Sequence, residues 1–157
     1  MLCRKSKTDS VATPSYILEP LRREFGAMYD PCPLQPNWDA AVHKDGLTTE
    51  WGPVSFVNPP FSKTAKFLRK AHEQWCQNKT IVFLMKTQSV STKAYGKYSK
   101  GAELRILTGR VVFPGYETPL LSPILLLVFR AGQTSDRWRC VDMKVNAGPG
   151  VRHTGAS

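Results

Sequence analysis

The sequence lacks the cysteine spacing of a metal site or a disulfide-rich fold. Its four cysteines stand far apart and include no C-x-x-C pair, the pairing from which many zinc sites are built. His43 and His72 likewise have no partner at metal-ligand spacing. We therefore expect no bound metal, and reduced thiols in an intracellular protein.

Long apolar segments are missing as well. The longest apolar run, Ile124 to Phe129, is far shorter than the ~20 residues that cross a bilayer. Met1 to Ser10 is polar and basic and lacks the apolar core of a signal peptide. We expect no membrane partner and no secretion.

Size and charge narrow the class of protein further. The 157 residues suffice for one compact domain, which we place at residues 13–131, with loosely ordered tails at residues 1–12 and 132–157. Lys and Arg number 22 against 12 Asp and Glu, a formal charge of +10. This excess favours an anionic partner such as nucleic acid, although basic surfaces also serve solubility alone. The oligomeric state stays open, with a monomer as the simpler expectation.

The order of elements predicts an α/β fold. Thr13 is a candidate N-cap and Pro14 a candidate first residue of a helix, which Pro20 either kinks or delays to about Glu19. A short strand candidate, Ala27 to Tyr29, follows. The later elements are one helix and four strand candidates, of which Thr80–Met85 and Ile124–Phe129 are apolar throughout, as in sheets covered on both faces. They are Val54–Val57, a helix over about residues 63–77, Thr80–Met85, strand-like residues within Leu104–Phe113, and Ile124–Phe129. We expect a compact, mostly parallel sheet with an antiparallel C-terminal edge.

Two prolines at the end of a buried strand mark a candidate catalytic site. Asn58-Pro59-Pro60-Phe61 follows Val57, and neither proline can donate to a strand ladder. The segment should lie at the carboxyl edge of the sheet, where open α/β folds bind ligands. The Asn58 side-chain oxygen and the Pro59 carbonyl can accept hydrogen bonds from an exocyclic amine, which would orient its lone pair toward an electrophile. Phe61 offers a flat face on which a base can stack.

This pattern resembles motif IV of amino-methyltransferases, Asn/Asp/Ser-Pro-Pro-Tyr/Phe/Trp. It stands in an ordered series that is similar to the phage-type DNA N6-adenine methyltransferases (Dam-like) and covers roughly residues 13 to 130. The series consists of Thr13-Pro14, Glu24-Phe25-Gly26, Asp30-Pro31-Cys32, Asn37, Asp45-Gly46-Leu47, Trp51, Phe56 to Ser62, and Gly109 to Phe113.

The resemblance implies a Rossmann-like methyltransferase fold with S-adenosylmethionine as cofactor. The methyl group would pass directly to N6 of an adenine flipped out of DNA, without a cysteine nucleophile. Positioning and hydrogen bonding would then carry catalysis, through Asn58, Pro59, Pro60 and Phe61.

The resemblance also implies cofactor contacts from four residues that each have a local interpretation as a cap or a turn. They are Thr13, Pro14, Asp30 and Asp45. The sequence departs from many methyltransferases after the first strand, because Asp30-Pro31-Cys32-Pro33 stands where a glycine-rich loop is usual.

Basic residues follow two of the predicted strands and are candidates for phosphate contacts. Tyr95 and Tyr98, interleaved with lysines, could add stacking. For any single residue, a solvated surface is the simpler alternative. The candidates are Lys63, Lys66, Lys70, Lys93, Lys97 and Arg110.

Two further hypotheses stay open beside DNA adenine methylation. The same Asn-Pro-Pro loop chemistry is used on glutamine amides of proteins, although the basic charge and Phe61 favour a nucleic acid. The missing glycine-rich loop also allows a catalytically weak or idle DNA-binding module.

Overall fold

The computed structural model describes residues 11–34, 45–109, 111, 113 and 123–142. In these ranges the chain forms three α-helices and five strands. They are α1 (Ser15–Phe25), β1 (Val54–Val57), α2 (Thr64–Cys76), β2 (Thr80–Lys86), α3 (Lys93–Tyr98), β3 (Glu103–Thr108), β4 (Ile124–Phe129) and β5 (Trp138–Asp142). None of these helices is long and apolar enough to span a membrane.

All five strands belong to one mixed sheet, in the order β1-β2-β4-β3-β5. β1 pairs with β2, and β3 with β5, in parallel, whereas β4 is antiparallel to both β2 and β3. The predicted α/β class is confirmed, and the antiparallel strand lies inside the sheet. β1, β2, β3 and β5 therefore end on one side, which we call the carboxyl edge.

Helices cover both faces of the sheet, as the apolar strands predicted. In β2, Leu84 belongs to a core cluster with Ile17 of α1. Its neighbour Phe83 points to the opposite cluster, with Leu68 of α2. These four side chains are at most 1% exposed, because strand side chains alternate between two covered faces.

Helix α1 begins one residue later than the sequence indicated. Pro14 is the N-cap, and its carbonyl accepts hydrogen bonds from the backbone of Ile17 and Leu18. The prediction that Thr13 caps the helix is wrong, because the Thr13 hydroxyl bonds to Asn58 instead. Pro20 lies within α1 and neither delays nor ends it.

Ordered structure extends beyond the bounds predicted for the domain. Trp138–Asp142 forms β5, although the sequence placed it in a loose tail, and it pairs with β3 from Leu104 to Thr108. At the other end, Val11 is only 6% exposed. In contrast, the strand predicted around Tyr29 is reduced to one parallel bridge with Ser55.

An ion-pair network ties α1 to the side of the sheet opposite the carboxyl edge. Arg105 is 4% exposed and makes two bonds to Glu24, of 2.8 and 2.6 Å, and one of 2.8 Å to Glu103. Arg130 also bonds Glu24, and Arg139 bonds Glu103. The network therefore joins one helix to three strand segments.

Candidate active site

The turn after β1 carries the Asn-Pro-Pro-Phe segment directly into α2. The Pro60 carbonyl accepts a hydrogen bond from the Lys63 backbone, which closes a 3-10 turn over Phe61–Lys63. The Thr64 hydroxyl then donates to the Phe61 carbonyl at 3.0 Å. These bonds hold the predicted catalytic residues as a compact turn at the carboxyl edge.

The amide of Asn58 is held on one side only. Its Nδ2 donates to the Val11 carbonyl and to the Thr13 hydroxyl, both at 2.9 Å. Its Oδ1 is buried and has no hydrogen-bond partner among the described residues. Because buried acceptors are normally satisfied, this oxygen is the atom of the turn to which a bound ligand would donate a hydrogen bond.

Two adjoining cavities open on Asn58. The larger measures about 350 Å³ and is also lined by Pro31, Asp45 and Lys63. The smaller measures about 210 Å³ and is lined by Thr13 and Asp30, among others. Val11, Cys32, Leu34 and Asn58 line both. The larger volume lies within the range of roughly 300–1,000 Å³ that is common for small-molecule sites.

Asp30 stands at the mouth of the smaller cavity, directly after the Tyr29 bridge. Its Oδ1 accepts a hydrogen bond of 2.8 Å from the Cys32 backbone, so it forms the turn that was its alternative interpretation. Desolvation by the surrounding protein raises the pKa of Asp30, and the bond from Cys32 only partly opposes this. Asp30 therefore borders the smaller cavity with a carboxyl group that also holds the turn at Cys32.

The Cys32 thiol faces the same space. Burial, together with the carboxylates of Asp30 and Asp45, raises the pKa of Cys32 far above that of a free thiol. Such a thiol stays protonated and is a poor nucleophile. The chemistry at this site therefore does not depend on a cysteine thiolate.

Asp45 caps a turn and lines the larger cavity. Its Oδ1 accepts from the Leu47 backbone at 2.9 Å, and its carbonyl accepts from Thr48 and Thr49. The next residue, Gly46, lies so close to Pro31 that a Cβ there would overlap the Pro31 carbonyl oxygen. Glycine at this position lets the Asp45 turn close against the segment after Asp30.

Phe61 does not present a bare face to the site. The Lys86 ammonium lies over its ring, 3.9 Å from the centroid, in a cation–π contact. Lys86 ends β2 at the carboxyl edge. A base stacking on that face of Phe61 would take the place of the ammonium group.

The lysines predicted to contact phosphate lie at different positions along two neighbouring helices, α2 and α3. Lys63 lines the larger cavity at the start of α2, whereas Lys66 and Lys70 follow along that helix. Lys93 and Lys97 are exposed on α3. Arg110 lies outside the described residues, as does Asn37.

The aromatic residues near these lysines pack against protein. Tyr95 and Tyr98 are partly buried against the core cluster under α2. Trp51 is 3% exposed and donates to the Gly46 carbonyl at 2.7 Å. It is a core residue.

Several residues that shape the site carry no sequence signal of their own. Val11 acts through its backbone carbonyl, to which any residue type would contribute equally. Arg22 lines the smaller cavity from α1, and only its place on the helix after Thr13-Pro14 could have indicated it.

The turn and its cavities form a candidate ligand site. The sequence comparisons indicate the family of proteins to which the chain belongs. The family described as DNA N-6-adenine-methyltransferase (Dam) matches residues 2–124. The chain belongs to this family. No curated protein sequence matches it.

One solved structure shows a more distant similarity. It is a predicted O-methyltransferase from Agrobacterium tumefaciens, with 18% sequence identity and a TM-score of 0.41. The similarity covers 71% of this chain and 54% of the other, so the chain spans about half of that protein.

S-adenosylmethionine is the methyl donor of such a methyltransferase family, as predicted from the sequence. The described residues suit a ligand of this kind. They provide a cavity of about 350 Å³ bordered by Asp45, an adjoining cavity bordered by Asp30, and an Asn58 Oδ1 without a partner among these residues where the two cavities adjoin.

Proposed function

We propose that the protein transfers a methyl group from S-adenosylmethionine to N6 of adenine in DNA. The observation that carries the proposal is the buried Oδ1 of Asn58, which lacks a partner among the described residues at the junction of two cavities. The family supports both the reaction and the substrate by its description. The formal charge of +10 suits a polyanionic substrate.

The proposed chemistry uses Asn58 as a hydrogen-bond acceptor. S-adenosylmethionine supplies an electrophilic methyl group. Asn58 Oδ1 accepts a hydrogen bond from the N6 amino group, and the Pro59 carbonyl accepts a second. These bonds would direct the nitrogen lone pair toward the methyl carbon and stabilise the positive charge that develops on nitrogen. The C–N bond would form as the bond between the methyl carbon and sulfur breaks, S-adenosylhomocysteine would leave, and the surplus N6 proton would pass to solvent.

The neighbouring residues supply binding and alignment. Phe61 stacks on the flipped adenine after Lys86 has left that face of its ring. Asp45, Asp30 and Thr13 line the two cavities that we assign to the cofactor, and Pro14 follows Thr13 as the N-cap of α1. Such a substrate requires a compartment that contains DNA.

The test is methyl transfer from labelled S-adenosylmethionine to unmethylated DNA or to a protein extract, with the modified product identified by mass spectrometry. We expect N6-methyladenine in DNA. The variant Asn58→Ala should lower kcat by roughly 100- to 1,000-fold, because it removes a preorganised acceptor.

The matched control is Asn78→Gly. Asn78 lies between α2 and β2, at the edge of the sheet opposite the carboxyl edge. Asn78 has a φ of 65°, a conformation that glycine adopts readily, so the control should keep full activity. Label in protein glutamine would replace the proposal by amide methylation. DNA binding without methyl transfer by the wild-type chain would replace it by a binding module.

A further inference from the structure

We propose that Thr13 is a positioning residue that sets the orientation of the Asn58 amide. The inference rests on the proposed function, because its purpose is to present Asn58 Oδ1 to the substrate amine. It differs from the direct cofactor contact that the family resemblance implies for Thr13.

The first step concerns the hydrogen bonds of the amide. Asn58 Nδ2 carries two N–H groups, and both are used, one by the Val11 carbonyl and one by the Thr13 hydroxyl. Rotating the amide by half a turn would place Oδ1 against the Val11 carbonyl oxygen, so that two acceptors would face each other. Oδ1 is therefore the atom left for the substrate.

The two partners of the amide contribute differently. The Val11 carbonyl accepts from Nδ2 and so determines that the Nδ2 end of the amide, and not Oδ1, faces Val11. A single hydrogen bond, however, would leave the amide free to swing about that contact. The Thr13 hydroxyl supplies the second anchor, and two anchors fix the direction in which Oδ1 points.

Thr13 is itself held from both sides. Val11, two residues before it, is 6% exposed in the core cluster that contains Leu21 and Phe56. Pro14, directly after it, starts α1 by accepting hydrogen bonds from Ile17 and Leu18. The hydroxyl thus has a defined position, as preorganised support for a catalytic group requires.

The variant Thr13→Val tests this role, because it replaces the hydroxyl by a methyl group of similar size. We expect kcat to fall by about 10- to 100-fold, since small misplacements of a catalytic group reduce rates by such factors. The KM for S-adenosylmethionine should change by less than about twofold, as for a loss confined to the transition state. Thr13→Ser restores the hydroxyl and should recover most of kcat.

The matched control is Thr134→Val, an exposed threonine between β4 and β5. It should match the wild type in both constants. If Thr13→Val behaves like this control, the positioning role is wrong. A raised KM for S-adenosylmethionine with kcat retained would assign Thr13 to cofactor binding instead.

A second measurement does not depend on catalysis. In the ¹⁵N-labelled full chain, without DNA or cofactor, the side-chain NH₂ signals of Asn58 should shift in Thr13→Val and stay near their wild-type positions in Thr13→Ser. Unchanged signals in Thr13→Val would overturn the inference even if activity fell. If the wild-type chain methylates no DNA, the proposed function fails, and these signals still decide whether Thr13 holds the amide.

Discussion

Gly46 joins the turn that carries Asp45 to the segment that follows Asp30. A Cβ at Gly46 would overlap the Pro31 carbonyl oxygen and lie 3.1 Å from Phe67 Cε1. We expect Gly46→Ala to push these segments apart, lowering the free energy of unfolding by about 1–3 kcal/mol and weakening cofactor binding. Thermal unfolding and calorimetric titration with S-adenosylmethionine measure the two effects.

Gly96 provides the control for this substitution. It lies within α3, and a Cβ there would meet no atom within 4 Å. Gly96→Ala should therefore stabilise the protein by up to about 1 kcal/mol through helix propensity, with cofactor affinity unchanged. Equal behaviour of the two variants would contradict the tight contact at Gly46.

Residue types indicate the candidate centre of the site but not the residues that support it. Asn58 to Phe61 stand out in the sequence, because two prolines after an apolar strand are unusual. The bond between Asn58 and Thr13 spans 45 positions, and no local pattern encodes a contact of that separation. The sequence therefore predicts a helix cap at Thr13, because a hydroxyl directly before Pro14 also suits that role.

At the scale of elements, α2 and α3 both descend from the carboxyl edge, so their lysines lie at different distances from the site. At ~1.5 Å per residue, Lys70 lies about 10 Å further down its helix than Lys63, and Lys97 about 6 Å further than Lys93. If DNA binds at the carboxyl edge, Lys63→Ala and Lys93→Ala should weaken DNA binding more than Lys70→Ala and Lys97→Ala.

Fluorescence anisotropy over a range of salt concentrations measures this difference. Each lost phosphate contact should reduce the slope of log K against log salt by about 0.9. Lys70→Ala and Lys97→Ala are the controls and should leave the slope nearly unchanged. A larger loss in the controls would mean that DNA lies along the helices instead.

The network at the end of α1 makes a second prediction for an element. Hydrogen bonds from Arg105 and Arg130 lower the pKa of Glu24 to about 2, although partial burial opposes them. Glu24 is thus ionised when folded at a pH where the unfolded chain takes up a proton. Its stabilising contribution is complete above about pH 4.5 and is lost as the pH falls toward 2.

Glu24→Gln should accordingly reduce stability at pH 7 and flatten the loss between pH 5 and pH 2. We expect about 1–2 kcal/mol at pH 7, allowing for the solvent screening of a side chain that is 35% exposed. Urea unfolding across this pH range provides the measurement. Glu19→Gln is the control, because its pair with Arg23 is 4.0 Å long and well exposed, and an equal effect there would contradict the prediction.

Elements with a strong internal pattern were predicted and those made by pairing were not. The apolar strands β1, β2 and β4 stand out in the sequence, whereas β5 forms by pairing with β3 and has no such pattern. The strand predicted over Ala27 to Tyr29 contributes only one bridge. Helix α1 runs through Pro20 because the packing of Ile17 and Leu21 in the core outweighs the lost backbone bond.

At the scale of the whole molecule, the direction of the strands gathers the site. Since β1, β2, β3 and β5 end on the same side, the Phe61 ring and the Lys86 ammonium meet there although they belong to the ends of different strands. The parallel bridge of Tyr29 with β1 delivers Asp30 to the same edge. The residues of the proposed site therefore come from segments that are far apart in the sequence and meet at one edge of the sheet.

The extent of that domain can be tested at β5. The strand is bound by its ladder with β3 and by the 2.9 Å contact between Arg139 and Glu103. The residues of β5 itself, among them the exposed Trp138 and Cys140, do not predict a strand. We expect a chain ending at residue 131 to be less stable than one ending at residue 142 by on the order of 2 kcal/mol, or roughly 4–8 °C in Tm.

Both truncated chains lack residues 143–157, so their comparison isolates β5 and the turn before it. The shorter chain should also aggregate more readily, because β3 becomes an open edge with unpaired backbone groups. Light scattering and calorimetry on the two chains measure these effects. Equal Tm values would restrict the folded unit to the bounds predicted from the sequence. A lower Tm with methyl transfer retained below the melting point would show that β5 stabilises the sheet without forming part of the site.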